Sequence, residues 1–345
     1  MNKVIKSALC ASVLALGLGA VSAPVQAANV DGPAVFWKFS VWGKSRSLTR
    51  GVEKLSERLA EETGGKFQLK IFYGEQLSKT KENLDSMKVN SIEGALVCNF
   101  YHPGKTPTLM VMSLPFLPLT DFDSAARARE ALYAHPDSVA EMAEWNAIIY
   151  GSTHVPQNEF LGRGRTPQTL EDWKGLRVRA GGGIGIAMEE LGAVRQAMPA
   201  TEVYTALQRK TVDAVAFPFS YAHAAYKLHE VADWFTSNLT PGTADCPIIL
   251  NKTAYEALPQ QYKDLLDSLK DEVADVYRGV YTAADEKYLP VFREELTEIE
   301  YSEADLAEFR ATVGQPIWDK WVADNKGTFD AQSVLDQILA AAAEN

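Results

Sequence analysis

Short apolar runs of β type alternate with amphipathic stretches of helical period along nearly the whole chain, a pattern that folds as α/β layers rather than as a bundle or a sandwich. Val35 to Trp42 reads as the first strand. Leu48, Val52, Leu55 and Leu59 then recur at helical spacing, Gly64-Gly65 ends that helix, and Gln68 to Tyr73 completes a β-α-β unit. A helix over about 79–89 leads into an apolar segment, Gly94 to Phe100. Leu114-Pro115-Phe116-Leu117-Pro118 must be an extended turn, because each proline lacks a donor and biases its predecessor away from the helix. Residues 125–145 are predicted helical, with a break near Pro136.

A second series repeats this grammar. It predicts strands at Ala147 to Ser152, Leu176 to Ala180, Val194 to Met198 and Val212 to Phe217, with one helix after Gly181-Gly182-Gly183 and another capped by Thr201. Cys246 to Leu250 reads as a further strand, and Asn251 as the cap of the next helix. From Gln260 to about Lys287, residues Tyr262, Leu266, Leu269, Val273, Val276, Tyr277 and Val280 form one stripe. A helix of ~40 Å there would cross two lobes. Mainly parallel sheets are expected.

The first 28 residues have the layout of a secretory signal: Lys3 and Lys6, an apolar run from Ala8 to Val21, then Val25-Gln26-Ala27-Ala28. Cleavage is expected near Ala27/Ala28, with export to the periplasm. The run is shorter than the ~20 residues a membrane span needs, and no other stretch approaches that length. Cys10 starts the run, whereas a lipid-attachment cysteine would follow it. About 317 residues then remain, too many for one ordinary core and enough for two. The chain holds 34 basic and 45 acidic residues, and the signal takes two lysines, which leaves a net charge of -13. That balance disfavours nucleic acid as a partner. Cys98 and Cys246, each in an apolar segment, read as two buried thiols rather than as a bridge.

Trp173-Lys174-Gly175-Leu176-Arg177-Val178-Arg179 is followed by the glycine run, by Glu202-Val203-Tyr204-Thr205-Ala206-Leu207-Gln208, and by Thr211-Val212-Asp213-Ala214 with Pro218. In that order the segments resemble the DctP family of solute receptors of tripartite TRAP transporters. Leu114-Pro115-Phe116 and Tyr255-Glu256-Ala257-Leu258-Pro259 extend the resemblance over nearly all of the chain after the signal. The resemblance implies a two-lobed periplasmic binding protein fold, α/β, with hinge strands and a long helix spanning both lobes. Lobe I would be 29–156 plus 245–284, and lobe II 157–244 plus 285–345. It also implies a monomer that carries a small organic acid to two TRAP membrane subunits, one small and one large, with no cofactor.

Arg179 matches the arginine that the family pairs with the ligand carboxylate, and a guanidinium suits this because its planar fork of donors stays charged when desolvated. Arg177 shares the same side of the strand by period-two geometry, but strand twist leaves its direction open. Where some relatives place a second arginine, this chain offers Glu159 or Phe160, depending on a one-residue shift in alignment. Where many present an asparagine, it has Phe217, followed by Pro218 and Phe219. Trp42 and Lys44 follow the first strand, and Phe100-Tyr101-His102 the fourth apolar segment, at carboxyl ends where open sheets bind ligands. His154 is a further candidate donor. Two ligand classes fit: an aromatic or apolar monocarboxylate stacked on these rings, or a zwitterion whose cationic end lies over them, toward which Glu159 would tilt the choice if it faces the cleft.

The glycine run reads as turn chemistry rather than as an anion site, and its spacing is not that of a dinucleotide loop. The five histidines show no metal-ligand spacing. An exported hydrolase, the alternative from another class, would need a nucleophile beside a base; no Gly-x-Ser-x-Gly and no cysteine in a matching histidine context is present. A ligand-presenting sensor subunit is the third reading, with the same fold.

Overall fold

The computed structural model describes residues 29–119 and 121–344. The signal-like segment lies outside the described residues. Among them, eleven strands form two sheets: β1 (Val35–Ser40), β2 (Phe67–Phe72), β3 (Gly94–Leu96), β4 (Ala147–Gly151), β5 (Asn158–Gly162), β6 (Arg177–Arg179), β7 (Val194–Gln196), β8 (Ala214–Pro218), β9 (Trp234–Thr236), β10 (Ile248–Asn251) and β11 (Thr297–Ile299). The first sheet runs β2-β1-β3-β10-β4 and the second β11-β9-β5-β8-β6-β7.

The sheets are mixed rather than mainly parallel. β10 is antiparallel to both β3 and β4, and β5 is antiparallel to both β8 and β9. The cause is topological. A strand that enters a sheet directly from the other lobe has no crossover helix to bring it in parallel, and β5 and β10 are those strands.

Alternation along each strand builds two apolar layers that both run through the two lobes. Trp37, Phe39, Val215, Phe217, Leu161, Ile248 and Leu250 belong to one, and Ala95, Ala214, Ala216, Phe160 and Ile249 to the other. The long helix Lys270–Glu295 lies on the first layer, burying Val273, Tyr277, Tyr281 and Phe292. It is separated from Gln260–Ser268 by a break at Leu269. At 26 residues it is ~39 Å long and braces both lobes. Asn251 caps the helix that follows β10, accepting from Ala254 N at 2.8 Å. Thr201 is no cap; it sits inside a short 3-10 turn that starts after Pro199.

Two further expectations change. The C-terminal helix Ala331–Ala343 returns to lobe I instead of staying with lobe II. It packs on Phe122–Ala134, with Arg127 Nε donating to Ala341 O at 3.1 Å and Gln337 Nε2 to Ala131 O at 3.1 Å. An apolar helical stripe does not say which apolar face it will cover. Cys98 and Cys246, read as free thiols, form a disulfide across 148 residues of sequence. Leu96 pairs with Ile248 in the β3–β10 ladder, so two residues further on Cys98 faces Cys246. That register exists only in the folded sheet.

Candidate functional site

The parallel strands β1, β3 and β6 all end toward the gap between the lobes. The lobes meet there: Tyr101 Oη accepts from Ala200 N at 3.0 Å, and Gly183 N donates to Ser113 Oγ at 3.4 Å. A Cβ on Gly182 or Gly183 would collide with Ser113, so the glycine run serves close approach of the lobes. Between them lies a cavity with about 550 Å³ of empty space, part of it open to solvent.

Arg179, at the end of β6, is 4% exposed. Its Nη1 donates to Ala216 O at 3.1 Å, and longer bonds of 3.3–3.4 Å reach Met198 O and the Tyr101 hydroxyl. No ion pair to Arg179 is present among the described residues. Its charge lies over the rings of Phe217 at 4.6 Å and Phe100 at 5.7 Å. Such a guanidinium is positioned but not neutralised, and a carboxylate at 2.7–2.9 Å would outcompete its long bonds. Burial pushes the Tyr101 hydroxyl upward in pKa, so it stays protonated.

Arg179, Phe217, Trp42, Phe100 and Tyr101 line the cavity. The other candidates lie elsewhere. Arg177 points along β6 to the opposite end, where Nε and Nη2 clasp Asp213 at 2.9 and 2.6 Å. Against partial burial, these bonds hold the Asp213 carboxyl below its ordinary value. Lys44 is exposed and contributes only its carbonyl, which accepts from Arg46. Phe219 packs on Phe235 and Phe292 in the lobe II core. His154 stacks on Phe122 at 4.6 Å, in a different cavity, and burial pushes its pKa down to about 3.

Neither Glu159 nor Phe160 faces the cavity; Asn158 does. The Glu159 carboxylate is held within lobe II, where Thr236 Oγ1 donates to it at 2.5 Å and Thr240 N at 2.7 Å. Burial raises its pKa to about 7. Phe160 packs against Trp173 in the core.

Sequence reasoning missed several cavity components, among them Arg46, Tyr226, Asn158 and the Cys98–Cys246 disulfide. For Arg46 the available signal was its place just after the first strand, at the start of a helix. Its backbone N–H bonds Thr49 Oγ1 at 3.0 Å as part of a capping box. Among the described residues lining the cavity there is no Asp or Glu. No group of three or more His, Cys, Asp or Glu that could hold a metal comes together among the described residues.

Residues 39–325 match the profile of the DctP family, described as bacterial extracellular solute-binding protein, family 7. The chain belongs to this family. A curated relative is the monocarboxylate 2-oxoacid-binding periplasmic protein all3028 of Nostoc sp., 27% identical over 68% of this chain; the match spans 64% of the relative's length, just under two thirds. The fold matches a TRAP periplasmic solute-binding protein from Desulfovibrio salexigens with bound orotic acid. That comparison has a TM-score of 0.80 at 20% identity and covers 89% of this chain and 98% of the other. A marine metagenome TRAP solute-binding protein specific for aromatic acid ligands, in complex with 3-hydroxybenzoate, matches with a TM-score of 0.78 at 20% identity, covering 90% and 98%. In this chain the α/β layers enclose a cavity between the lobes. Among the described residues, no helix of this family member is long and apolar enough to cross a membrane.

Proposed function

We propose that this chain is the periplasmic receptor of a TRAP transport system, holding a small organic carboxylate between its lobes and delivering it to the membrane subunits without chemical change. The observation that carries this is the Arg179 guanidinium: buried, unpaired by any acid, and set at the floor of an aromatic cavity where two lobes meet. A buried charge of that kind calls for a counter-charge, and a ligand carboxylate supplies it with bidentate geometry. Flat acids suit the Phe217, Phe100 and Trp42 faces. A zwitterion loses one of its supports, because Glu159 is bonded elsewhere and no Asp or Glu lines the cavity among the described residues. The disulfide agrees with an oxidising compartment.

The test is calorimetric titration of the wild type and of Arg179→Met with benzoate and related flat acids. Micromolar or tighter binding that weakens by at least about a hundredfold in the variant, equivalent to ~3 kcal/mol, is the expected result. Unchanged affinity in Arg179→Met would remove the anchor assignment.

A further inference from the structure

The cavity contains a second buried guanidinium, on the opposite lobe. Arg46 is 8% exposed. Its Nη1 donates to Trp42 O and Lys44 O, both at 2.8 Å, while its Nη2 is buried and has no partner. No ion pair to Arg46 is present among the described residues. The Tyr226 hydroxyl is likewise buried and unpartnered. Gly43 locates these groups relative to each other: a Cβ built on it would lie 3.0 Å from Tyr226 Oη and 3.1 Å from Arg46 Nη1. Both polar groups therefore flank one small region of the wall.

The two arginines belong to a continuous belt. Arg46 lies over Trp42 at 5.3 Å and over Tyr226 at 5.8 Å. Tyr226 stacks on Phe217 at 5.3 Å with an interplanar angle of 11°. Phe217 carries Arg179 at 4.6 Å, Arg179 bonds Tyr101, and Tyr101 meets Trp42 edge-on at 5.9 Å. The cavity thus presents two fixed positive charges on an aromatic girdle, and among the described residues no acid in its wall balances either.

Two desolvated cations in one acid-free cavity are matched by two negative charges more than by one. We infer that Arg46, together with the Tyr226 hydroxyl, is a second anion anchor, and that the ligand is a planar acid with acidic groups at both ends. This rests on the receptor reading above, in which Arg179 takes the first carboxylate. Arg46 supplies its free Nη2 hydrogens and Tyr226 its O–H to the second acidic group, while Phe217 and Trp42 cover the flat middle. Because Arg46 comes from lobe I and Arg179 from lobe II, a two-ended acid would also tie the lobes together.

The test is calorimetric titration at pH 7.5 with benzoate, isophthalate and terephthalate, which share one ring and differ in the second carboxylate. The better diacid should bind the wild type at least about tenfold more tightly than benzoate, the size of one charge-assisted hydrogen bond. In Arg46→Gln that preference should collapse toward unity. Arg46 also ties its own loop, so Tyr226→Phe provides a check that keeps the stack on Phe217 and removes only the hydroxyl; it should cut the preference by roughly threefold. Diacids no tighter than benzoate, or a preference untouched by both variants, would overturn the inference and leave Arg179-dependent benzoate binding intact. If none of the three acids binds the wild type, the receptor reading for flat acids falls with it.

Discussion

Reducing the Cys98–Cys246 disulfide should weaken the fold by a measurable and calculable amount. The bridge joins residues 148 apart in sequence, so it removes a long closed loop from the unfolded ensemble. The loop-closure relation gives about 5 kcal/mol at 25 °C for that length. Measured bridges commonly deliver about 2–4 kcal/mol, because unfolded chains keep some structure. The assay is equilibrium urea unfolding of the wild type with and without reductant, which keeps both sulfur atoms in place and changes only the covalent link. With a slope near 3 kcal/mol per molar, a loss of about 3 kcal/mol moves the midpoint down by roughly 1 M. The slope itself should rise, since the open chain exposes more surface. The Cys98→Ala, Cys246→Ala double variant should fall at or below the reduced wild type. Identical midpoints in both redox states, or two free thiols titrated in the denatured but unreduced protein, would refute the reasoning.

Two further outcomes are expected. The Glu159 carboxyl is raised by burial from 4.5 to about 7 in the folded protein. Its contribution is thus fully present below the unfolded value near pH 4.5 and is lost as pH rises through about 7, an effect of up to about 3 kcal/mol. Urea unfolding of Glu159→Gln and wild type should therefore show a stability difference that shifts in favour of the variant between pH 5 and pH 8; a pH-independent difference would contradict this. Arg177→Met removes a partly exposed pair with Asp213 at the far end of β6, so it should cost about 1 kcal/mol or less in stability and change ligand affinity less than about twofold by calorimetry. A loss like that of Arg179→Met would place Arg177 in the binding machinery after all.

Much of the architecture was legible because it follows from local periodicity. The strands near 35, 67, 94, 147 and 214 and the helical stripe after residue 260 were readable at period two or 3.6, with boundaries off by a few residues. The short strands Trp234–Thr236 and Thr297–Ile299 were not marked. Of the residues that line the cavity, Arg179 was singled out through the motif around it, Trp42, Phe100 and Tyr101 through their places after strands, and Phe217 as a departure from the family's asparagine. Lys44 failed because a loop side chain has no fixed direction. Glu159 failed because its carboxylate is held by Thr236 and Thr240, residues about 80 positions away whose approach no local pattern encodes.

Sequence alone determined the α/β class, the two-lobe size, the bracing helix and the family, since each depends on composition, period or linear motif. Tertiary structure alone decided which strands run antiparallel, that the last helix folds back on lobe I, and that Cys98 meets Cys246. It also decided that Arg46 and Tyr226 line the same cavity as Arg179. These are contacts between residues tens to hundreds of positions apart, and nothing local encodes them. They arise when buried faces choose among possible partners, and that choice is made by the packing of the whole chain.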